Sequence, residues 1–255
     1  MSSGVLQVAS GVAFVAFAAL LAHRLKLGLS REILIAAARA IVQLAAVGAL
    51  IALVFRVDVL AIAFVAGMVA TAAITSGGRI KSVPNARARA IAAIGVPAVG
   101  AAGILIAVGA FEPTPRAAIP TAGILIGGAM TATTLTGRRL LEGLSADEEE
   151  IEARLSLGDR IREALAPTVR QAIKTGLVPA IDQTRNVGIV TLPGTFVGLV
   201  LGGASPAEAA RVQLTVLLTL LAVELLSATV IAELIVRTRI APGERLREDV
   251  ADVRR

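Results

Sequence analysis

Residues 191–214 read TLPGTFVGLVLGGASPAEAARVQL, a stretch with the composition of a membrane-spanning helix and the residues that interrupt one. Pro193 lacks a backbone N–H and clashes with the preceding helical turn, so it predicts a kink within the span. Gly194, Gly198 and Gly202 recur every four residues, which leaves one helix face bare and lets another helix approach closely. The stretch therefore predicts a gate or a helix-packing seam inside a membrane.

The whole chain has the composition of a polytopic membrane protein. Of its 255 residues 56% are hydrophobic, and its mean hydropathy is +0.80. Because a transmembrane helix needs roughly 20 mostly apolar residues, the sequence predicts an all-α fold of about seven transmembrane helices in a single permease domain over 1–255. The predicted spans are 4–23, 33–54, 57–76, 91–111, 118–136, 177–201 and 212–236.

Lys and Arg predict the orientation of these spans. They cluster after the first, third, fifth and seventh spans, whereas the loops on the other side hold only Arg56, Arg116 and Arg211. Because cytoplasmic loops carry the excess of Lys and Arg, the N-terminus is expected outside and the C-terminus in the cytoplasm. The net charge of +6 therefore reflects basic residues at the membrane surface, where lipid is their expected partner. No nucleic-acid partner is expected.

Residues 137–176 form the longest polar segment between two predicted spans, and on this orientation the segment is cytoplasmic. Apolar residues recur in it at helical spacing, while Gly158 and Pro167 are expected to break the helix. The segment therefore predicts short amphipathic helices at the inner membrane surface. They either cover the ends of the spans or couple them to a cytoplasmic partner.

Three stretches resemble one known family of transporters. They are GIVTLPGTFVGLVLGGASPAEAARVQL at 188–214, ARAIVQLAAVG at 38–48 and IPTAGILIGGAMTATTLTGRRL at 119–140. They resemble the FetB-like (YbbM-type) permeases, the iron-export permease family of bacterial ABC transporters, which also includes plant aluminium-tolerance permeases. The resemblance implies a homodimeric permease subunit in the bacterial inner membrane that exports metal ions, most simply iron-like ones.

The same resemblance implies that a separate subunit supplies the energy. Glu152, Ala153 and Gly158 resemble the EAA-type signature of ABC permeases, which implies a coupling helix docked in a groove of a cytoplasmic ABC ATPase. The chain has no G-x-x-x-x-G-K-[ST] stretch for binding nucleotide phosphates. We therefore expect a permease without enzymatic activity or a bound cofactor, with ATP on the partner subunit. The sequence also departs from the family pattern, since the usual two methionines after the Leu-Pro-Gly are Thr195 and Phe196.

Polar residues inside the predicted spans are the candidates for a substrate pathway, because charges within a membrane are costly and are usually functional. The candidates are Arg39, Gln43, Met130, Asp182, Arg185, Asn186 and Glu224. The carboxylate of Glu224 offers oxygen to hard cations, and the thioether of Met130 is a softer ligand. Ion pairs between Arg39 and Asp182 or between Asp182 and Arg185 are the structural alternative, and the residues of any metal site stay unknown.

Two other transport functions stay open beside metal export. The first is an ABC permease for a lipid or an anionic metabolite, since the basic side chains near the predicted inner ends suit an anion equally well. The second is a gradient-driven secondary transporter acting alone, a class in which inverted repeats are common. A neighbouring ATPase distinguishes the ABC permeases from the secondary transporter.

Overall fold

The computed structural model describes residues 3–241 and 245–246, and helices hold most of them. The chain divides into two compact units, 1–60 and 61–255. The first unit is a pair of apolar helices in contact with each other, α1 (Ser3–Arg24) and α2 (Ser30–Val54).

The second unit is a helical bundle with a small two-stranded hairpin. Its helices are α3 (Asp58–Arg79, which begins just before the unit boundary), α4 (Ala86–Ala107), α5 (Pro115–Ala146), α6 (Glu148–Ser156), α7 (Ile161–Asn186), α8 (Gly194–Leu201) and α9 (Pro206–Arg239). The strands β1 (Ile240–Ala241) and β2 (Arg245–Leu246) pair antiparallel. The structure thus confirms the all-α class, and six of its described helices are long and apolar enough to cross a membrane.

The difference from seven lies at the predicted sixth span, 177–201, which is not one helix. α7 ends at Asn186 and α8 begins at Gly194, so this span is interrupted in its middle. The predicted kink at Pro193 is therefore wrong in form, because Pro193 precedes the first residue of α8 and no helix runs through it. Pro167 was also expected to break a helix, yet it lies inside α7.

Close contacts at four glycines show the relative directions of the bundle helices. A Cβ at Gly128 on α5 would collide with Glu224 on α9, and a Cβ at Gly137 would lie 3.6 Å from Ile235, so α5 and α9 run in the same direction. Gly176 on α7 likewise lies against Thr136 on α5. Because Gly143 lies against Thr168, α7 runs opposite to α5. The missing side chains let α5 pack closely on both neighbours.

Two large apolar clusters fill most of this bundle, and polar side chains lie between them along three helices, together with a small third cluster of Ala132, Leu177 and Ala228. On α5 one cluster includes Leu125 and Ala129, and the other includes Leu140 and Leu144. Between these contributions α3, α5 and α9 place buried polar residues, which we call the polar layer. Its members are Ser76, Thr133, Thr134, Thr136, Glu224 and Ser227.

Candidate functional site

Glu224 is the acidic residue of the polar layer. It is only 6% exposed and lies on α9 between Val223 of one apolar cluster and Ile231 of the other. Its Oε2 has no hydrogen-bond partner among the described residues. Since burying an unpaired charge is expensive, a cation or a proton at this carboxylate would offset part of the cost.

Gly128 makes the space that this carboxylate occupies. A Cβ at Gly128 would overlap Glu224 Oε1 and Leu220 Cδ1, whereas a Cβ at the neighbouring Gly127 would meet nothing within 4 Å. The glycine is therefore part of the surroundings of Glu224. Helical register would have placed Gly127 and Gly128 on different faces of α5.

Hydroxyl groups make up the rest of the polar layer. The Oγ1 atoms of Thr133 and Thr136 and the Oγ of Ser227 have no partner among the described residues, while the hydroxyls of Thr134 and Ser76 are hydrogen-bonded at 3.0 Å. Ser76, Thr136 and Ser227 were not predicted. Ser227 follows Glu224 by three residues, so the two lie beside each other on one face of α9. This spacing is the sequence feature from which Ser227 could have been predicted.

The other predicted pathway residues do not join this layer. Met130 is half-buried on α5, Asn186 is half-buried at the end of α7, and Asp182 and Arg185 are exposed on α7. Arg39 and Gln43 are exposed on α2, in the other unit. Among the predicted pathway residues of the second unit, Glu224 alone belongs to the polar layer. No group of three or more His, Cys, Asp or Glu suited to a metal ion occurs among the described residues.

The predicted coupling segment contains a sharp corner between two helices. Gly158 has a φ of +97°, a backbone conformation that glycine adopts without strain, and it lies between α6 and α7 as the sequence predicted. Leu157 just before it is 87% exposed, and Glu152 and Ala153 are exposed on α6. Ile151 on the opposite face is buried in the apolar cluster, so α6 is amphipathic and presents its outer face freely.

Polar contacts fasten this corner to the long helices. The Thr168 hydroxyl on α7 donates to Asp147 Oδ2, 2.7 Å away, at the start of α6. Arg162 near the start of α7 donates two hydrogen bonds to Glu233 on α9, at 3.0 and 2.9 Å. These hydrogen bonds and the charge of Glu233 raise the pKa of Arg162. A bidentate pair of this kind fixes orientation as well as distance, so the start of α7 is held to α9.

The break between α7 and α8 lies at about the depth of Glu224. From Gly176, which lies against Thr136, α7 continues ten residues to Asn186, or about 15 Å of helix. Gly128, which faces Glu224, precedes Thr136 by eight residues, or about 12 Å. Beyond the break, α8 packs on α9. The interruption of the predicted sixth span, between α7 and α8, therefore lies at about the level of Glu224 in the bundle.

The glycines of the predicted gate or packing seam lie on or beside α8. Gly194 begins this helix and Gly202 follows its end. A Cβ at Gly194 or Gly198 would meet nothing within 4 Å, so this bare strip has no close neighbour in the described structure. Its role as a gate or as a seam stays a prediction.

Comparison with known proteins identifies the relatives of this chain. The model of the "Uncharacterised protein family (UPF0014)" matches residues 5–240. The rice (Oryza sativa subsp. japonica) "UPF0014 membrane protein STAR2" is 38% identical over 218 residues, which cover 84% of this chain and 76% of that protein. "Protein ALUMINUM SENSITIVE 3" of Arabidopsis thaliana is 32% identical over 221 residues, 84% of this chain and 79% of that protein. No solved structure matches.

A bacterial relative carries a functional name. The "Probable iron export permease protein FetB" of Escherichia coli (strain K12) is 34% identical over 227 residues, which cover 88% of this chain and 87% of that protein. The match therefore extends over nearly the full length of both proteins. The family model and these relatives show that the chain is a multi-pass membrane protein belonging to UPF0014, the family whose motifs its sequence resembles.

Proposed function

We propose that this protein is the permease subunit of an ABC transporter, which works as a homodimer with cytoplasmic ATPase subunits in a bacterial inner membrane and exports metal ions. The observation that carries the proposal is the corner between α6 and α7. It exposes Glu152, Ala153 and Leu157 on a compact turn while polar contacts hold it to the long helices. A rigid, exposed turn of this kind can receive a push from a partner and pass it to α7.

Two observations support a metal ion as the cargo. The first is the similarity to a relative named as a probable iron export permease. The second is Glu224, a buried carboxylate whose Oε2 has no partner among the described residues, three residues before Ser227, whose hydroxyl has no partner there either. Carboxylate and hydroxyl oxygens are ligands for hard cations. One carboxylate does not make a complete site, so the proposed role of Glu224 is to offer a transient ligand along the pathway.

Co-purification tests the coupling role of the α6–α7 corner. We expect an ATPase subunit to co-purify with the full chain from detergent, and Glu152→Arg to abolish the association by reversing a charge on the exposed face of α6. Glu112→Arg is the matched control, because Glu112 is also exposed but lies in the loop between α4 and α5. Equal losses in both variants, or no loss in Glu152→Arg, would refute the coupling assignment.

ATP hydrolysis by the reconstituted complex tests the cargo. Fe(II), Mn(II) or Zn(II) is expected to stimulate the hydrolysis rate, and Glu224→Gln should weaken this stimulation because the amide keeps the size of the side chain but loses the charge. Stimulation by a lipid or an anionic metabolite, with none by any metal, would replace metal export by the alternative cargo.

A further inference from the structure

The segment between α7 and α8 exposes backbone that a lipid bilayer cannot solvate. The N–H of Gly188 donates to the carbonyl of Thr191, and the N–H of Ile189 donates to Asn186. In a continuing helix these two groups would have paired with the carbonyls of Thr184 and Arg185. Their diversion releases both carbonyls near the middle of the span.

Backbone of this kind occurs at membrane depth only where protein or water covers it. The side chains of the break itself form an apolar surface, since Ile189 is 90% exposed and Val190 and Leu192 are exposed as well. An apolar surface with released carbonyls calls for a cover that is itself protein.

Two oppositely charged side chains beside the break indicate which kind of protein covers it. Asp182 and Arg185 are exposed on α7, and neither forms an ion pair within the described part of the chain. Counted from Gly176, they lie about 9 and 14 Å along the helix from the level of Thr136. Unpaired charges at such depth are expensive, so both need a partner from outside the helical bundle of the second unit.

We infer that the break between α7 and α8, with Asp182 and Arg185 beside it, is the surface on which a second copy of this chain docks. A two-fold axis places the same patch on both subunits. Contacts across a two-fold interface are reciprocal, so Asp182 of one copy and Arg185 of the other can form an ion pair twice across the axis. The inference rests on the proposed function, to which it adds the surface by which the two permease subunits pair.

Disulfide cross-linking tests this surface directly, because the natural chain contains no cysteine. Val190→Cys in the full chain, oxidised in native membranes, is expected to give a covalent dimer. Val96→Cys is the matched control, since Val96 is 72% exposed in the middle of α4 and Val190 is 73% exposed at the break. We expect no covalent dimer from the control under the same oxidation.

The outcomes separate this inference from the proposed function. If the chain is dimeric by mass in nanodiscs but Val190→Cys gives no cross-link, the docking surface is wrong and the homodimer stands. Quenching by a lipid-dissolved quencher of a fluorophore attached to the thiol of the Val190→Cys variant would also overturn the inference, since it would place the break against lipid. If nanodiscs that contain the assembled complex with the ATPase hold only one copy of this chain, the homodimer itself is refuted.

Charge exchange gives a second measurement that does not depend on cysteine chemistry. Asp182→Arg is expected to lose dimer, measured by energy transfer between differently labelled chains, because two bases would then face each other across the axis. Combining it with Arg185→Asp should restore the dimer, since the exchanged pair is again complementary. If the double variant loses as much dimer as the single one, the pairing of Asp182 with Arg185 is refuted.

Discussion

At the scale of single residues, two adjacent glycines on α5 have opposite structural roles. A Cβ at Gly128 would overlap the buried ends of Glu224 and Leu220, whereas Gly127 has open space. The space at Gly128 is therefore filled from α9, and the position of the carboxylate depends on a side chain that is missing from α5.

This contrast predicts opposite signs for the same substitution. Gly127→Ala should be neutral or stabilising by up to about 1 kcal/mol, because alanine is the better helix former. Gly128→Ala should be destabilising by about 1–3 kcal/mol through overpacking and should also reduce metal-stimulated ATP hydrolysis by displacing Glu224. Thermal unfolding in detergent measures the first effect and reconstituted hydrolysis the second. Two variants of equal stability would show that Glu224 and Leu220 move aside freely.

At the scale of helices, the connection between α5, α6 and α7 decides whether the exposed corner is rigid. α6 has only nine residues and is too short to be stable alone. It is held by burial of Ile151 and by the hydrogen bond from Thr168 to Asp147. The buried hydroxyl of Thr168 is thus a direct link between the start of α6 and the spanning helix.

Thr168→Val removes this link while keeping the shape of the side chain. The loss should cost about 1–2 kcal/mol, because an acceptor carboxylate loses its donor inside the protein, and metal-stimulated ATP hydrolysis should fall as the corner loosens. Thr175→Val on the same helix is the control, since the Thr175 hydroxyl bonds only to the Gln171 carbonyl at the surface. Similar unfolding temperatures for the two variants would mean that burial of Ile151 alone holds α6.

The interrupted span shows where helix-level sequence reasoning stops. Periodicity and hydropathy correctly predict six long helices and the turn at Gly158. They do not distinguish a kinked helix from a broken one at 187–193, because proline is compatible with both. Tertiary contacts decide this, since α8 packs on α9 and Asn186 takes the turn hydrogen bonds. Likewise, Glu224 was predictable as a charge in a span, but its contact with Gly128 depends on how α5 and α9 pack.

At the scale of the whole molecule, the distribution of Lys and Arg predicts the orientation of the helices in the membrane. α5 and α9 run parallel and both carry basic residues toward their C-terminal ends, at Arg138 and Arg139 about two turns before the end of α5 and at Arg237 and Arg239 in the last turn of α9. The corner at Gly158 follows α5 and therefore lies at this same basic end. Because basic residues favour the cytoplasmic side, the sequence predicts that the corner meets the cytoplasm, where an ATPase subunit would bind.

Labelling of single cysteines tests this orientation. Leu157→Cys lies at the exposed corner, which follows the C-terminal end of α5. Glu112→Cys lies in the exposed loop between α4 and α5, which precedes the N-terminal end of α5. A membrane-impermeant maleimide is expected to label Glu112→Cys in intact spheroplasts and Leu157→Cys only in inverted vesicles, since each reagent-accessible thiol faces one side of the membrane. The reverse pattern would place the corner outside the cell, where no ATP is available to a coupled subunit. An inverted chain could still be a transporter, but it could not receive work from a cytoplasmic ATPase through α6.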